Sequence, residues 1–329
     1  AATLNQDQRT PVALIAKDMQ MAWEKQGKPR RMDPVGRILR MLLHEALQHQ
    51  KTTAETLRQQ QDTEVPHESV ELDAQVQMLT EEAAELVQSI PTDLAAAGPV
   101  AFAKHLVEAA TLNQDQRTPV ALIAKEMQMA WEKQGKPRQM NPVGRILRML
   151  LLGGGGCGKS RIVNLVLTPL FLQCWGSRGC VKAAPSNKAA RGILGKTLHV
   201  VGKLGGGSLN MMNLRCGAQA QKALAYLWAP GGAFIIDEAP QGAAALYHAV
   251  ALRSCYGRVA AHEVELSDYA EPSQTFGAMP IVVECGDELQ LPPVPASAGL
   301  FAEQSQAATE HLAGVEIFKQ KDYVYRLST

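Results

Sequence analysis

The rhythm of apolar positions along this chain changes near residue 144, and the change marks where its architecture shifts. From there on, short and nearly continuous apolar runs at 146–152, 180–184, 233–236 and 280–285 alternate with stretches of helical spacing. Strands that are apolar at every position, not at every second one, suit a parallel sheet covered by helices on both faces. The pattern therefore predicts an α/β fold, a doubly wound parallel sheet, over residues 109–329. Residues 44–108 read differently. They are rich in Glu, Gln and Ala, with Val76, Leu79, Ala83, Leu86 and Val87 at near-helical spacing and a break at Pro91. Acidic helices, loosely joined and without chemistry of their own, are expected there, so the amino-terminal region should be mainly helical.

A duplication overlies this pattern. Residues 1–43 recur as 109–151 with three differences, Asp18 against Glu126, Arg31 against Gln139 and Asp33 against Asn141. One repeated segment of this length is not a solenoid period. The second copy runs through Arg148-Met149-Leu150-Leu151-Leu152 into a glycine run and is predicted to be a strand there, whereas the first continues into polar helical sequence at His44. Three segments follow: a truncated duplicate at 1–43, the acidic linker at 44–108, and a catalytic lobe at 109–329.

Composition changes this picture in a few places. The formal charge of +1 conceals a basic carboxy-terminal part and an acidic middle, a balance that permits contact with nucleic-acid phosphates without requiring it. The six cysteines fall at irregular spacings with no CxxC pair, which argues against a zinc site or a disulfide framework and for reduced thiols. The most apolar stretch, 162–175, is interrupted by Asn164, Pro169 and Gln173 and is too short to cross a bilayer. No membrane partner is expected, and the absence of a leader pattern points to the nucleus or cytoplasm. Aromatic residues are sparse, and Phe171, Trp175 and Phe234 fall on core elements, so few are left for base stacking.

The chemistry begins at Gly153-Gly154-Gly155-Gly156-Cys157-Gly158-Lys159-Ser160, which satisfies G-x-x-x-x-G-K-[ST] between a predicted strand and a predicted helix at 161–172. Glycines let backbone N–H groups curl around a β-phosphate, Lys159 reaches the β- and γ-phosphates, and the Ser160 hydroxyl binds Mg²⁺. Cys157 lies inside this loop, where the helix amino terminus would favour its thiolate if solvent reached it. Farther on, Ile235-Ile236-Asp237-Glu238 places two carboxylates at the end of an apolar strand, where a parallel sheet delivers its ligands. Asp237 is expected to hold the Mg²⁺ and Glu238 to polarise the attacking water.

The segment Gly286-Asp287-Glu288-Leu289-Gln290-Leu291-Pro292-Pro293-Val294, taken with the phosphate loop and the Asp-Glu strand, resembles the Pif family of superfamily 1, RecD-like DNA helicases and the related helicases of Helitron-type mobile elements. Leu112-Asn113-Gln114-Asp115-Gln116 resembles the family's LNxxQ motif, so Gln116 would read adenine. Ala184-Pro185-Ser186-Asn187-Lys188-Ala189-Ala190 and Gly195-Lys196-Thr197-Leu198-His199 resemble an element along single-stranded DNA, which would bring Pro185, Ser186, Lys188 and His199 to that strand. Gln290, beside Asp287, would sense the γ-phosphate, and Arg326 of Tyr325-Arg326 would approach it. Gly153, Gly156, Cys157, Gly158, Lys159, Ser160 and Arg161 would complete the nucleotide contacts.

The resemblance implies a RecA-like lobe with ATP and Mg²⁺ as cofactors, single-stranded DNA as partner, 5′-to-3′ polarity, and work in DNA repair, recombination and telomere maintenance. Asn187 stands where the family has glycine, and Ala239-Pro240-Gln241 follows the Asp-Glu pair where a Ser-Met or Gln element is usual. The motifs of a second lobe, including its arginine finger, are not found, so the chain is expected to be a weak or incomplete hydrolase by itself. A non-unwinding nucleotide- or strand-binding remnant of a mobile-element helicase is the competing expectation, and a generic P-loop kinase a distant third.

Overall fold

The computed structural model describes residues 97–136, 139–204, 217–262, 276–287, 289–290, 299–300 and 309–328, with a few positions between 78 and 94. The first repeat copy, Cys216, Glu288 and residues 291–294 lie outside the described residues. The chain divides into two compact units, Ala1–Thr92 and Asp93–Thr329. In the first unit the described residues 81–83 and 85–86 are helical, with Ala83 and Leu86 buried.

The second unit opens with α1 (Pro99–Ala109) and α2 (Gln114–Lys133). Proline at the first position of α1 has no amide hydrogen to leave unsatisfied, and Phe102, Ala103, Leu106 and Val107 form its buried face. The domain boundary expected at 108/109 therefore falls inside a packed helix. The lobe begins before Pro99, because α1 packs on α2 and on the helices after the phosphate loop.

β1 (Leu147–Leu152) leads through the glycine run into α3 (Lys159–Arg161), a π-helical stretch at Ile162–Leu167 and α4 (Thr168–Trp175). Pro169, which has no N–H to give to a helical ladder, falls in the first turn of α4, just after the wide turns end. Next come β2 (Cys180–Ala184), α5 (Asn187–Gly192), β3 (Lys196–Thr197), α6 (Leu198–Val201) and α7 (Ala218–Trp228). They are followed by β4 (Ala233–Ile236), a 3₁₀ turn at Ala239–Gln241, α8 (Ala244–His262), β5 (Ile281–Gly286), α9 (Thr309–Lys319) and β6 (Tyr323–Arg326).

All six strands are parallel, in the order β3-β2-β4-β5-β1-β6. The α/β doubly wound sheet expected from the apolar runs is thus the observed architecture. On one face Leu150, Val181, Phe234, Ile236 and Val282 pack against Trp228, Tyr247 and Phe318 of α7, α8 and α9. The alternate residues Met149, Leu151, Ile235 and Val283 are buried too, so the sheet is covered on both sides. Edge-to-face contacts run from Trp228 through Phe234, Phe276 and Tyr247 to Phe318.

Charged groups also sit inside this apolar frame. Arg258 of α8 is fully buried and donates to the carbonyls of Trp228, Gly231, Gly277 and Pro142, tying four chain segments together. Glu284 of β5 meets Lys321 at 2.9 Å, with side chains 1% and 7% exposed, and accepts a hydrogen bond from the Tyr247 hydroxyl. Replacing Lys321 with methionine would leave a buried carboxylate without its ammonium, at a cost of about 3–5 kcal/mol. The pair Lys321→Met with Glu284→Gln should recover most of that loss in a denaturant titration; equal stability of the single and double variants would show that the pair is not coupled.

Candidate nucleotide site

Every expected site residue lies at or near the carboxyl edge of the sheet. The phosphate loop follows β1, and Gly156 and Gly158 both take left-handed backbone, with φ of +81° and +89°. The left-handed backbone is what requires glycine at 158; a Cβ there would also lie 2.2 Å from Nε2 of Gln116 and push that flexible side chain aside. Gly153 hydrogen-bonds across to Gly286 at the end of β5. Lys159 is buried, and its ammonium donates to the carbonyls of Gly153 at 2.5 Å and Gly154 at 3.0 Å. Ser160 follows on the first helical turn, half-buried.

The Cys157 sulfur lies 3.7 Å from that ammonium, and its side chain is only 6% exposed. The solvent access on which a reactive loop thiol depends is therefore not met. Arg161 carries its guanidinium to the carbonyl of Ala110, at 3.2 and 2.9 Å, and so ties the loop helix to the end of α1.

Gln116 begins α2 inside a capping box: the Asn113 side chain accepts its N–H, and its own carbonyl accepts the Asn113 N–H. The remaining amide group donates to the Cys157 carbonyl at 3.1 Å, which joins α2 directly to the phosphate loop. On the other side of that loop, β6 pairs with β1 so that Arg326 stands opposite Leu152, exposed at the sheet edge. Ser328 then bonds to Asp115, the residue before Gln116.

Asp237 and Glu238 follow β4, two strands from β1 with β5 between them. The Asp237 amide bonds to the Ala183 carbonyl of β2, and Glu238 turns the chain with left-handed backbone at φ +49°. Burial, and then repulsion from Glu238, raise the Asp237 carboxyl to about 6, while Lys159 pulls the other way. Burial likewise raises Glu238, opposed by Lys159 and by the Gln290 amide. Oδ1 of Asp237 and Oε2 of Glu238 are buried without a hydrogen-bond partner among the described residues. Orphaned carboxylate oxygen is a hard donor, of the kind suited to Mg²⁺ held together with phosphate oxygens.

The raised carboxyl has a consequence for stability. Unfolded, Asp237 ionises near 3.8; folded, it retains its proton to about 6, so the native state binds more protons in that interval. Without metal or nucleotide, stability should fall as pH rises from about 4 to 6, by roughly 3 kcal/mol if the full shift is realised. Asp237→Asn should flatten that segment of the curve. Parallel melting curves of the two proteins across the interval would remove Asp237 as the cause.

The loop after β5 adds Asp287 and Gln290. Asp287 accepts the Leu289 N–H at 2.9 Å, and the Gln290 amide group donates to Glu238 at 3.4 Å. Gln241, at the end of the 3₁₀ turn, donates in turn to the Gln290 carbonyl. The sequence offered no signal for Gln241 beyond its place after an unusual Ala-Pro step.

The expected strand-path residues follow the neighbouring strands β2 and β3. Pro185 is half-buried, Ser186 and Lys188 are exposed, and His199 is half-buried on α6. The Ser186 hydroxyl accepts the Ala189 N–H at 3.2 Å and caps α5, a local role that sequence alone did not suggest. Asn187, in the place of the usual glycine, opens that helix. Pro185 borders the turn that follows the carboxylate pair: a Cβ at Gly242 would lie 3.6 Å from Pro185 and 3.9 Å from Leu198.

A six-stranded parallel sheet with a phosphate loop after one strand and an Asp-Glu pair after another defines a P-loop NTPase. The profile of the PIF1-like helicase family matches residues 139–311, more than half of the chain, and the chain belongs to that family. Among solved structures it is similar to the Pif1 helicase from Candida albicans, at 18% identity over 66% of this chain and 39% of that one, with a TM-score of 0.43. It is also similar to unliganded Pif1 from Bacteroides sp, at 17% identity over 66% and 41%, with a TM-score of 0.39. Against Bacteroides Pif1 in complex with ADP-AlF3 and ssDNA the figures are 17%, 66%, 42% and 0.41. The chain spans about two fifths of the length of these structures. No curated protein matches it. No described helix is long and apolar enough to cross a membrane.

Proposed function

We propose that the chain is the nucleotide-binding lobe of a 5′-to-3′ DNA helicase, one that binds and hydrolyses Mg-ATP and couples this to single-stranded DNA. The observation that carries the reading is the continuity of one sheet edge. Lys159, Gln290 and the Asp237-Glu238 pair follow β1, β5 and β4, and the expected strand-path residues follow β2 and β3 beside them. Lys159 would exchange its hydrogen bonds to the loop carbonyls for bonds to the β- and γ-phosphates, and Gln116, in the first turn of α2, would read the adenine. Ser160 and Asp237 would hold the Mg²⁺, which neutralises charge between the phosphates. Glu238 draws the proton from the attacking water, and Gln290, bonded to it, responds to the γ-phosphate. Arg161, tied to Ala110, holds the loop helix in place, leaving phosphate contact to Lys159.

A second reading has one observation in its favour. The near-identical duplicate at 1–43 fits a remnant of a mobile-element helicase that binds nucleotide without unwinding. Hydrolysis measured with and without a single-stranded oligonucleotide separates the two. A motor lobe should be stimulated by the strand, with the effect fading as salt rises because phosphate contacts release counterions. Nucleotide binding indifferent to DNA would leave the remnant.

A further inference from the structure

We propose that Gln241 is a positioning residue: it fixes the Gln290 amide so that its NH₂ group faces Glu238 and the phosphate end of the nucleotide site. This rests on the reading of Gln290 as the group that senses the γ-phosphate.

The case is one of donor and acceptor inventory. A glutamine amide has two ends of opposite character and nearly equal shape, so packing alone barely distinguishes its two orientations. Sensing a phosphate depends on the choice, because only the NH₂ end can donate to it. At Gln290 both ends are spoken for. Its Nε2 donates to Oε1 of Glu238 at 3.4 Å, and its Oε1 accepts from Nε2 of Gln241. An ionised Glu238 can only accept, so the reverse orientation would set a carbonyl against a carboxylate. Gln241 completes the arrangement from the other side: with its NH₂ end turned to the Gln290 carbonyl it reinforces the orientation that the acceptor-only Glu238 sets.

The local backbone supports the same role. Gln241 ends the 3₁₀ turn that begins just after Glu238, and its amide bonds back to the Glu238 carbonyl at 3.0 Å. Pro240 stiffens the turn and lies so close to the end of β5 that a Cβ on Gly286 would come within 2.3 Å of it. The turn carrying Gln241 and the strand that launches the Gln290 loop therefore touch. Gly242, the next residue, borders Pro185 and Leu198. Gln241 thus stands between the γ-phosphate sensor and the neighbouring strand ends.

The test is a double-mutant cycle on the full chain, using methionine, which keeps the length of glutamine but removes both donor and acceptor. Affinities for ADP and for a non-hydrolysable ATP analogue are measured for wild type, Gln241→Met, Gln290→Met and the double variant. Gln241→Met should lower the preference for the triphosphate about tenfold, in line with one misdirected hydrogen bond to a charged group, and leave ADP affinity near wild type. Gln290→Met should do the same, and the double variant should be no worse than Gln290→Met alone. Equal weakening of ADP and the analogue would make Gln241 merely structural and overturn the proposal. So would an unchanged preference, or losses that add in the double variant. Failure of wild type to bind either nucleotide would overturn the nucleotide reading itself, and this inference with it.

Discussion

Lys159→Ala is expected to lower Mg-ATP affinity by about two orders of magnitude or more, because charge-assisted contacts to two phosphates are lost together. Among the described residues the neighbouring cations are committed elsewhere. Arg161, the nearest other cation in sequence, spends its guanidinium on the Ala110 carbonyl, and Arg326 stands exposed on the far side of β1. The Lys159 ammonium bonds to the carbonyls of Gly153 and Gly154, so alanine also frees two acceptors of the loop. Lys159→Met, which keeps most of the aliphatic stem in its buried position, separates these effects. Both variants should lose nucleotide, while the methionine variant should retain more of the native melting temperature. Unchanged affinity of either in a fluorescence titration would mean that the glycine loop is a structural turn and not a phosphate cradle.

Much of the sheet was legible because its central strands are buried on both faces, and such strands are apolar without interruption. The runs at 146–152, 180–184, 233–236 and 280–285 match β1, β2, β4 and β5 to within a residue at either end. The edge strands were not legible. β3 has two residues, and β6, Tyr323–Arg326, alternates half-buried and exposed positions in a polar context. The lobe boundary was misplaced for another reason: the repeat suggested a start at 109, although Gly98-Pro99 followed by apolar residues at helical spacing was itself a helix-start signal.

The site residues drawn from motifs do gather on one edge, because parallel strands all end on the same side and each motif follows a strand. What motifs could not convey was the partners these side chains find within the fold. Gln116 bonds to the Cys157 carbonyl, Ser186 caps a helix and Arg161 binds Ala110, all partners set by tertiary contact. The buried pair of Glu284 and Lys321 escaped notice because a single charge in an apolar run has no visible partner until the fold brings one to it.

Glu238→Gln is expected to leave Mg-ATP affinity within a few fold of wild type and to slow hydrolysis by about 10²–10⁴, the usual range for removal of a general base. The geometry makes this a clean substitution. Among the described residues the hydrogen bond this side chain makes is the one it accepts from Gln290, and a glutamine carbonyl can still accept that bond, as a neutral and somewhat weaker acceptor. The left-handed backbone at position 238 is as accessible to glutamine as to glutamate, so the turn into Ala239–Gln241 should persist. Removing the charge also relieves Asp237 of a repulsion that now raises its carboxyl, which favours the ionised form needed to hold a cation. Affinity should therefore hold steady, or rise, while turnover falls. Single-turnover hydrolysis with nucleotide in the bound state isolates the chemical step from binding. A variant that hydrolyses at the wild-type rate there would place the base elsewhere, and a variant that loses nucleotide along with turnover would make Glu238 part of the binding site.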